Sequence, residues 1–182
     1  THKTRIVVIQ AGPNILPSFA PALRDAAGRS LSRLHVEVRE NTRVTAVEEG
    51  AVMLGAERLE AGTVLWTAGV AASPITATLG VPLDRAGRVI VERDLSIPDH
   101  PEAFVIGDAA AFLDAEGHQL PGVAQVAIQG GAHAARTILR RIRGEPSQPF
   151  VYHDRGSMAI IGRGSAICDL RGLRFSGPLA GL

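Results

Sequence analysis

At 182 residues, 46% of them hydrophobic, the chain is long enough for one domain or pieces of two and apolar enough to build a core. A net charge of +1 argues against a nucleic-acid or polybasic role, although eighteen of the nineteen basic residues are arginine and Lys3 is the single lysine. One cysteine, Cys168, excludes an intrachain disulfide framework and a CxxC metal site. No apolar run approaches the ~18 residues of a membrane span, and no signal peptide is present. Thr1 stands where a start methionine would, so the chain reads as an excerpt.

Arg5-Ile6-Val7-Val8-Ile9-Gln10 is a near-continuous apolar run, as expected of a strand buried on both faces of a parallel sheet. It breaks at Ala11-Gly12-Pro13-Asn14, after which Ser18 can cap a helix running to about Leu34. Ala20, Leu23, Ala27, Leu31 and Leu34 recur at helical spacing, and Pro21 sits in the tolerated first turn. His35–Arg39 alternates as a strand, which completes a strand-helix-strand crossover of about thirty residues. Short strands are expected at Arg43–Val47, Ala51–Leu54 and Thr63–Thr67, with Gly50, Gly55 and Gly62 at the breaks: a β-meander before a last apolar strand. Thr67-Ala68-Gly69 ends that strand in small residues, which suits close passage of a cofactor or another chain segment, and equally a plain exit into a loop.

Ser73–Leu79 predicts a short helix ended by Gly80, and Arg88–Glu92 a strand. The helix from about Ala124 to Arg143 has Ile128, Ala132, Ala135, Ile138, Leu139 and Ile142 as its expected buried stripe. Arg140, Arg141 and Arg143 suit the negative end of its dipole, and Gly144 is placed to terminate it. Gly130 and Gly131 lower helix propensity, which predicts close approach of a backbone or ligand, or simple close packing. Beyond Pro146 and Pro149, strands are expected at Phe150–Asp154, Ser157–Ile161 and Ser165–Leu170, and the tail Leu173–Leu182 is apolar with Gly and Pro. His2, His35, His100, His118, His133 and His153 have no metal-site spacing and read as surface or packing residues.

The remaining stretch organises the others. Phe104-Val105-Ile106-Gly107-Asp108 is an apolar strand that stops at Gly-Asp, followed by a Gly/Pro loop and the helix start Ala124-Gln125-Val126-Ala127-Ile128-Gln129. Strand ends beside helix starts are where α/β proteins place nucleotide cofactors. Gly107 lets backbone approach a ligand, Asp108 offers an acceptor for a sugar or ribitol hydroxyl, and the helix aims its free N–H groups at something electron-rich. The bland alternative is a tight turn.

Taken in order, these pieces resemble the second half of type II NADH dehydrogenases, single-chain NADH:quinone oxidoreductases of the two-dinucleotide-binding-domain flavoproteins. The residues that carry the resemblance are Val64-Leu65-Trp66-Thr67-Ala68-Gly69-Val70, Phe104–Asp108, the Ala124–Gln129 helix start and Asp154-Arg155-Gly156-Ser157. The resemblance covers essentially the whole chain. It implies an α/β fold of partial, tandem Rossmann-like domains with a β-meander and a C-terminal hairpin region. Residues 1–67 would be the later part of the NAD(P)H domain, 68–145 the returning half of the FAD domain, and 146–182 the start of a C-terminal interface region. The amino-terminal FAD loop and the Gly-rich NADH loop would precede Thr1, and amphipathic membrane-binding helices would follow Leu182.

By the same resemblance Gly107, Asp108, Ala124, Gln125 and Ala127 would hold FAD, with the helix-start N–H groups facing the flavin's pyrimidine edge. Gln10, Ala68 and Gly69 would meet the nicotinamide nucleotide. Gln125 and Gln129, four apart on one helix face, would border the quinone pocket, where an amide can donate to a carbonyl without bringing in charge. The electron path would run from NADH through FAD to quinone at the cytoplasmic face of the inner or plasma membrane, with a homodimer compatible and no metal or nucleic acid involved. Two positions depart from the family's pattern. Gln10 stands where a Glu usually binds the ribose, which leaves NADPH open. Gly130 stands where a further Gln is expected. The rival readings are a soluble reductase serving a small redox protein and a non-catalytic nucleotide-binding module.

Overall fold

The computed structural model describes residues 4–170 and 172–177. His2, Lys3 and the end of the apolar tail, residues 178–182, lie outside the described residues. The chain forms two compact units, Thr1–Trp66 with Arg155–Leu182, and Thr67–Asp154.

In the first unit, Ile6–Ile9 (β1) is followed by helix Pro21–Arg33 (α1) and by Val36–Arg39 (β2), which pairs in parallel with β1 from Ile6↔Val36 to Ile9↔Arg39. Pro21 opens α1 as expected, but Ser18 does not cap it. Ala20 is the N-cap and no side chain bonds the first turn. Ser18 is instead part of a tight turn closed by Phe19 N–H on Leu16 O at 3.0 Å. The expected burial of β1 on both faces also fails: Ile6 and Val8 are exposed. Among the described residues β2 is its one neighbour, and a two-stranded sheet cannot cover both its faces.

Ala46–Glu48 (β3), Ala51–Leu54 (β4) and Glu57–Glu60 (β5) form the antiparallel meander. Its third strand is therefore Glu57–Glu60 and not Thr63–Thr67. Leu65 and Trp66 are 83% and 63% exposed and belong to no ladder. An apolar run becomes a strand only where a neighbour accepts its backbone groups.

In the second unit, Pro74–Leu79 is a short 3-10 helix that ends at Gly80, with φ 68°. Val89–Ile90 (β6) lies parallel to Ala110–Ala111 (β9), and Ser96–Ile97 (β7) pairs with His100–Phe104 (β8) in a hairpin. The expected apolar strand at Phe104–Ile106 is displaced. Regular pairing stops at Phe104, one further bond joins Val105 N–H to Leu95 O at 3.1 Å, and Gly107–Ala109 is a single 3-10 turn. Helix Ala124–Ile142 (α2) runs where the sequence predicts it, with Gly144 at φ 73° just beyond.

Its buried face differs from the expected stripe. Val126, Gly130, His133, Ala134 and Thr137 are buried, whereas Ile128 and Ile142 are 71% and 76% exposed. The helix is apolar on more than one side, so periodicity alone could not choose which side meets the core of Leu95, Phe112, Leu120, Val126 and Phe150. Gly130 and Gly131 are there for close packing: a Cβ at 131 would stand 3.3 Å from Ile106 Cδ1, and one at 130 would stand 3.4 Å from Leu95 Cδ1. Phe150–Asp154 is no ladder strand. Phe150 enters the core, edge-on to Phe112 with ring centroids 5.4 Å apart.

The chain returns to the first unit as an antiparallel sheet of Ser157–Gly162 (β10), Ser165–Leu170 (β11) and Leu173–Gly177 (β12). β12 falls in the tail for which the sequence suggested no element. The central β11 buries Ala166, Ile167 and Cys168, and Ile167 joins Phe19, Leu23 and Ala27 of the α1 side in one cluster. Among the described residues no helix is long and apolar enough to cross a membrane.

Candidate functional site

The second unit brings the Gly-Asp turn onto the start of α2. Gly107 has φ 63°, and a Cβ there would lie 3.0 Å from Ala127 Cβ and 3.6 Å from Ala127 Cα. Glycine is required twice over, by the left-handed backbone and by the contact. Asp108 follows in the 3-10 turn with its carboxylate exposed and its Oδ1 3.1 Å from where a Cβ on Gly122 would stand. Gly122, in the loop leading to α2, therefore leaves room beside the carboxylate. The sequence offered only a Gly/Pro loop at this point.

Val123 is the N-cap of α2. No side chain caps the helix and no acidic residue lies in its first turn, so the dipole's positive end at Ala124–Ala127 is not neutralised from within. Arg88, Gly107, Asp108, Gly122 and Val126 share the wall of a cavity of about 20 Å³, room for about one water. The turn, the glycine-lined gap and the helix start thus form a cradle that side chains at 107 or 122 would fill. A carboxylate there can accept from a polyol hydroxyl, and the helix end can face an electron-rich ring edge. That donor and acceptor set is of the kind a polyol joined to an electron-poor, reducible ring calls for.

Gln129 is held by the backbone that follows α2. Its Nε2 donates to His153 O at 2.9 Å and its Oε1 accepts from His153 N–H at 3.0 Å, so both ends of the amide engage one backbone unit. One turn on, His133 Nε2 lies 3.0 Å from Gln148 O, and its ring tilts against Phe150. Burial pushes the His133 pKa below the usual imidazole value, and the Arg136 charge acts the same way. Sequence reading placed His133 among surface or packing residues and did not see its bond to the segment that follows the helix. Burial raises the Tyr152 phenol, and the Asp154 carboxylate adds to the effect.

Of the three residues expected at the nicotinamide nucleotide, Gln10 belongs to the first unit and Ala68 and Gly69 to the second. Gln10 ends β1, with its N–H on Arg39 O at 2.9 Å and its carbonyl accepting from Thr42 N–H at 3.0 Å. A Cβ on Gly12 would stand 3.1 Å from Gln10 Nε2, so the amide lies over the glycine turn at the strand's end. Gly69 has φ 78° with no neighbour near a Cβ, which makes it a backbone-turn glycine and not a close-approach one. Among the described residues no cluster of His, Cys, Asp and Glu could hold a metal ion.

The family model of pyridine nucleotide-disulphide oxidoreductases matches residues 1–131. The chain belongs to that family. Within it, type II NADH:quinone oxidoreductase NdhA of Mycobacterium tuberculosis is 40% identical over 192 residues, covering 98% of this chain and 40% of the relative. A type II NADH:quinone oxidoreductase of Staphylococcus epidermidis is 36% identical over 183 residues, covering 98% of this chain and 45% of its own length. The resemblance read from the sequence is borne out by these relatives. The chain spans less than half the length of either. Solved structures show the same Rossmann-like fold. The structure of NDH2 from Plasmodium falciparum in complex with NADH has a TM-score of 0.82 at 16% identity over 95% of this chain and 51% of that one. The sulfide:quinone oxidoreductase of Aquifex aeolicus reaches 0.74 at 16% identity over 96% of this chain and 46% of its own.

Proposed function

We propose that this chain is the portion of a flavoprotein oxidoreductase that cradles one side of FAD, in an enzyme that passes electrons from NADH to a quinone. The observation that carries this reading is the seating of the Gly107-Asp108 turn on the uncapped start of α2, so close that a Cβ at 107 would stand 3.0 Å from Ala127 Cβ. The relatives named type II NADH:quinone oxidoreductase support it across nearly the whole chain. FAD, when bound, would accept hydride from NADH and release two electrons to the quinone.

The chain's own residues hold and tune. Asp108 accepts from a ribitol hydroxyl, and Gly107 and Gly122 keep the approach open. The N–H groups of Ala124 and Gln125 put the positive helix end at the ring edge where electron density gathers, while Ala127, whose N–H donates to Val123 O, supplies the surface on which Gly107 is seated. Gln10, Ala68 and Gly69 meet the nicotinamide nucleotide, and Gln125 and Gln129 border the quinone. Residues 1–67 serve the NAD(P)H domain, 68–145 the FAD domain, and 146–182 the interface region. This reading puts the protein at the cytoplasmic face of the membrane as a peripheral protein, and a homodimer is compatible with it.

Anaerobic absorbance spectroscopy on the full-length, flavin-loaded protein tests the proposal. NADH should bleach the flavin and a soluble quinone should restore it. Bleaching without recovery would mean another electron acceptor, and a protein that takes up no flavin would end the reading.

A further inference from the structure

Beyond α2 the chain turns back along the helix and is held to it by side chains at positions 129, 133 and 141. Arg141 Nε donates to Ser147 Oγ at 2.9 Å, His133 Nε2 lies 3.0 Å from Gln148 O, and Gln129 makes its two bonds to His153. Thr137, at the intervening position, is buried. Positions 129 and 133 are neighbours on one face because four residues are close to one helical turn. Phe150 anchors the middle of this strap through its ring in the core and its N–H on Arg93 O at 2.7 Å.

Gln129 is the last clasp, the one nearest the start of α2. It satisfies both a backbone donor and a backbone acceptor of the strap. Without it His153 would lose two partners at once, and Tyr152 and Asp154 on either side would lose their fixed position. Tyr152 is half-buried against the core and Asp154 bears on its phenol.

We infer that Gln129 is a positioning residue, which shapes the quinone's binding site by holding the Tyr152-His153-Asp154 segment along the first turns of α2. The inference rests on the reading of the α2 start as the acceptor side. The reciprocal amide pair is what distinguishes it: both ends of one side chain hold a single backbone unit and fix it against the helix.

The test uses the full-length, flavin-loaded protein and a water-soluble quinone. Gln129→Ala should speed hydrogen exchange at the His153 amide by about tenfold or more and raise the quinone KM by about tenfold, with a smaller change in kcat. Gln129→Glu adds a signature that packing alone would not give. Ionised, its carboxylate repels His153 O; protonated, it can again accept from the N–H and donate to the carbonyl. Its quinone KM should therefore fall toward the wild-type value as pH drops from about 8 to about 5, a recovery absent in Gln129→Ala. A raised KM with unchanged His153 exchange would make Gln129 a direct ligand and overturn the inference. Faster exchange with an unchanged KM would reduce it to a structural clasp. If quinone fails to reoxidise the flavin, the acceptor role falls with the functional reading, while the exchange result still decides whether the clasp exists.

Discussion

Gly107 and Ala127 meet so closely that any side chain at 107 would collide: a Cβ there would stand 3.0 Å from Ala127 Cβ, on a backbone with φ 63°. This contact presses the Asp108 turn against the first turn of α2 and creates the cradle. Gly107→Ala should destabilise the protein by about 1–3 kcal/mol through strained backbone and overpacking. It should also lower the flavin retained on purification. Thermal unfolding and the ratio of flavin to protein measure the two effects, and an unchanged ratio would show that the contact does not shape the cofactor site.

Asp108 separates binding from stability. Its carboxylate is exposed, so Asp108→Ala should change stability by no more than about 0.5 kcal/mol. Loss of a hydrogen bond to a charged acceptor should weaken FAD by about 10- to 100-fold. Equilibrium titration of the apoprotein with FAD reads this directly. Equal affinity in the variant would remove Asp108 from the site.

Gln10 should govern the choice of nicotinamide nucleotide. Glutamine can bond a ribose hydroxyl but does not repel a 2′-phosphate. Gln10→Glu should therefore raise the ratio of kcat/KM for NADH over NADPH by about tenfold or more, chiefly by losing NADPH. The measurement is steady-state kinetics with both nucleotides, and an unmoved ratio would place the ribose elsewhere.

His133 makes the fold sensitive to acid. Burial depresses its folded pKa below the ordinary imidazole value, so around and below that value the unfolded chain takes up a proton that the folded chain resists. Stability is complete above the unfolded pKa and is lost as pH falls through the folded one. The melting temperature should therefore drop on acidification, and the drop should be shallower in His133→Phe, where nothing titrates. Asp94 adds a second loss at lower pH. Burial works against its ionisation, but the Ser96 and Ser147 hydroxyls, the Ser96 N–H and Arg141 together hold its pKa below 3.8, and that contribution disappears as pH falls through the folded value. Melting curves across pH for both proteins check the slope.

Gly156 admits no side chain. A Cβ there, at φ 95°, would overlap Asp169 O and press on Leu170 Cα. Backbone cannot step aside as a flexible side chain can, so Gly156→Ala should cost about 3 kcal/mol or more by opening the start of the β10–β11 pairing. Chemical denaturation measures it.

Much of this was legible from local signals. Pro21 at the head of α1, Gly80 and Gly144 after their helices, and the strand β2 are encoded within a few residues, and each appears where the sequence predicts it, although β2 shows no alternation of burial. Elements that depend on distant partners were misplaced. Thr63–Thr67 has strand composition but no ladder, while Glu57–Glu60, with hardly an apolar residue, pairs because β4 offers it an edge. The buried side of α2 was misread for the same reason: the helix is apolar on several sides, and only the position of Leu95, Ile106 and Phe150 selects one.

For the site, residue type and order were enough to single out Gly107, Asp108 and the Ala124–Gln129 helix start, because close approach needs glycine and an uncapped helix end favours electron-rich ligands wherever it occurs. What tertiary structure alone decided was which groups are already committed. Sequence spacing made Gln125 and Gln129 equivalent, two amides one turn apart. Only the return of the chain along α2 places His153 against Gln129 and engages both ends of that amide. Spacing records which side chains share a face, but hydrogen bonds are made by whatever the rest of the chain brings to it.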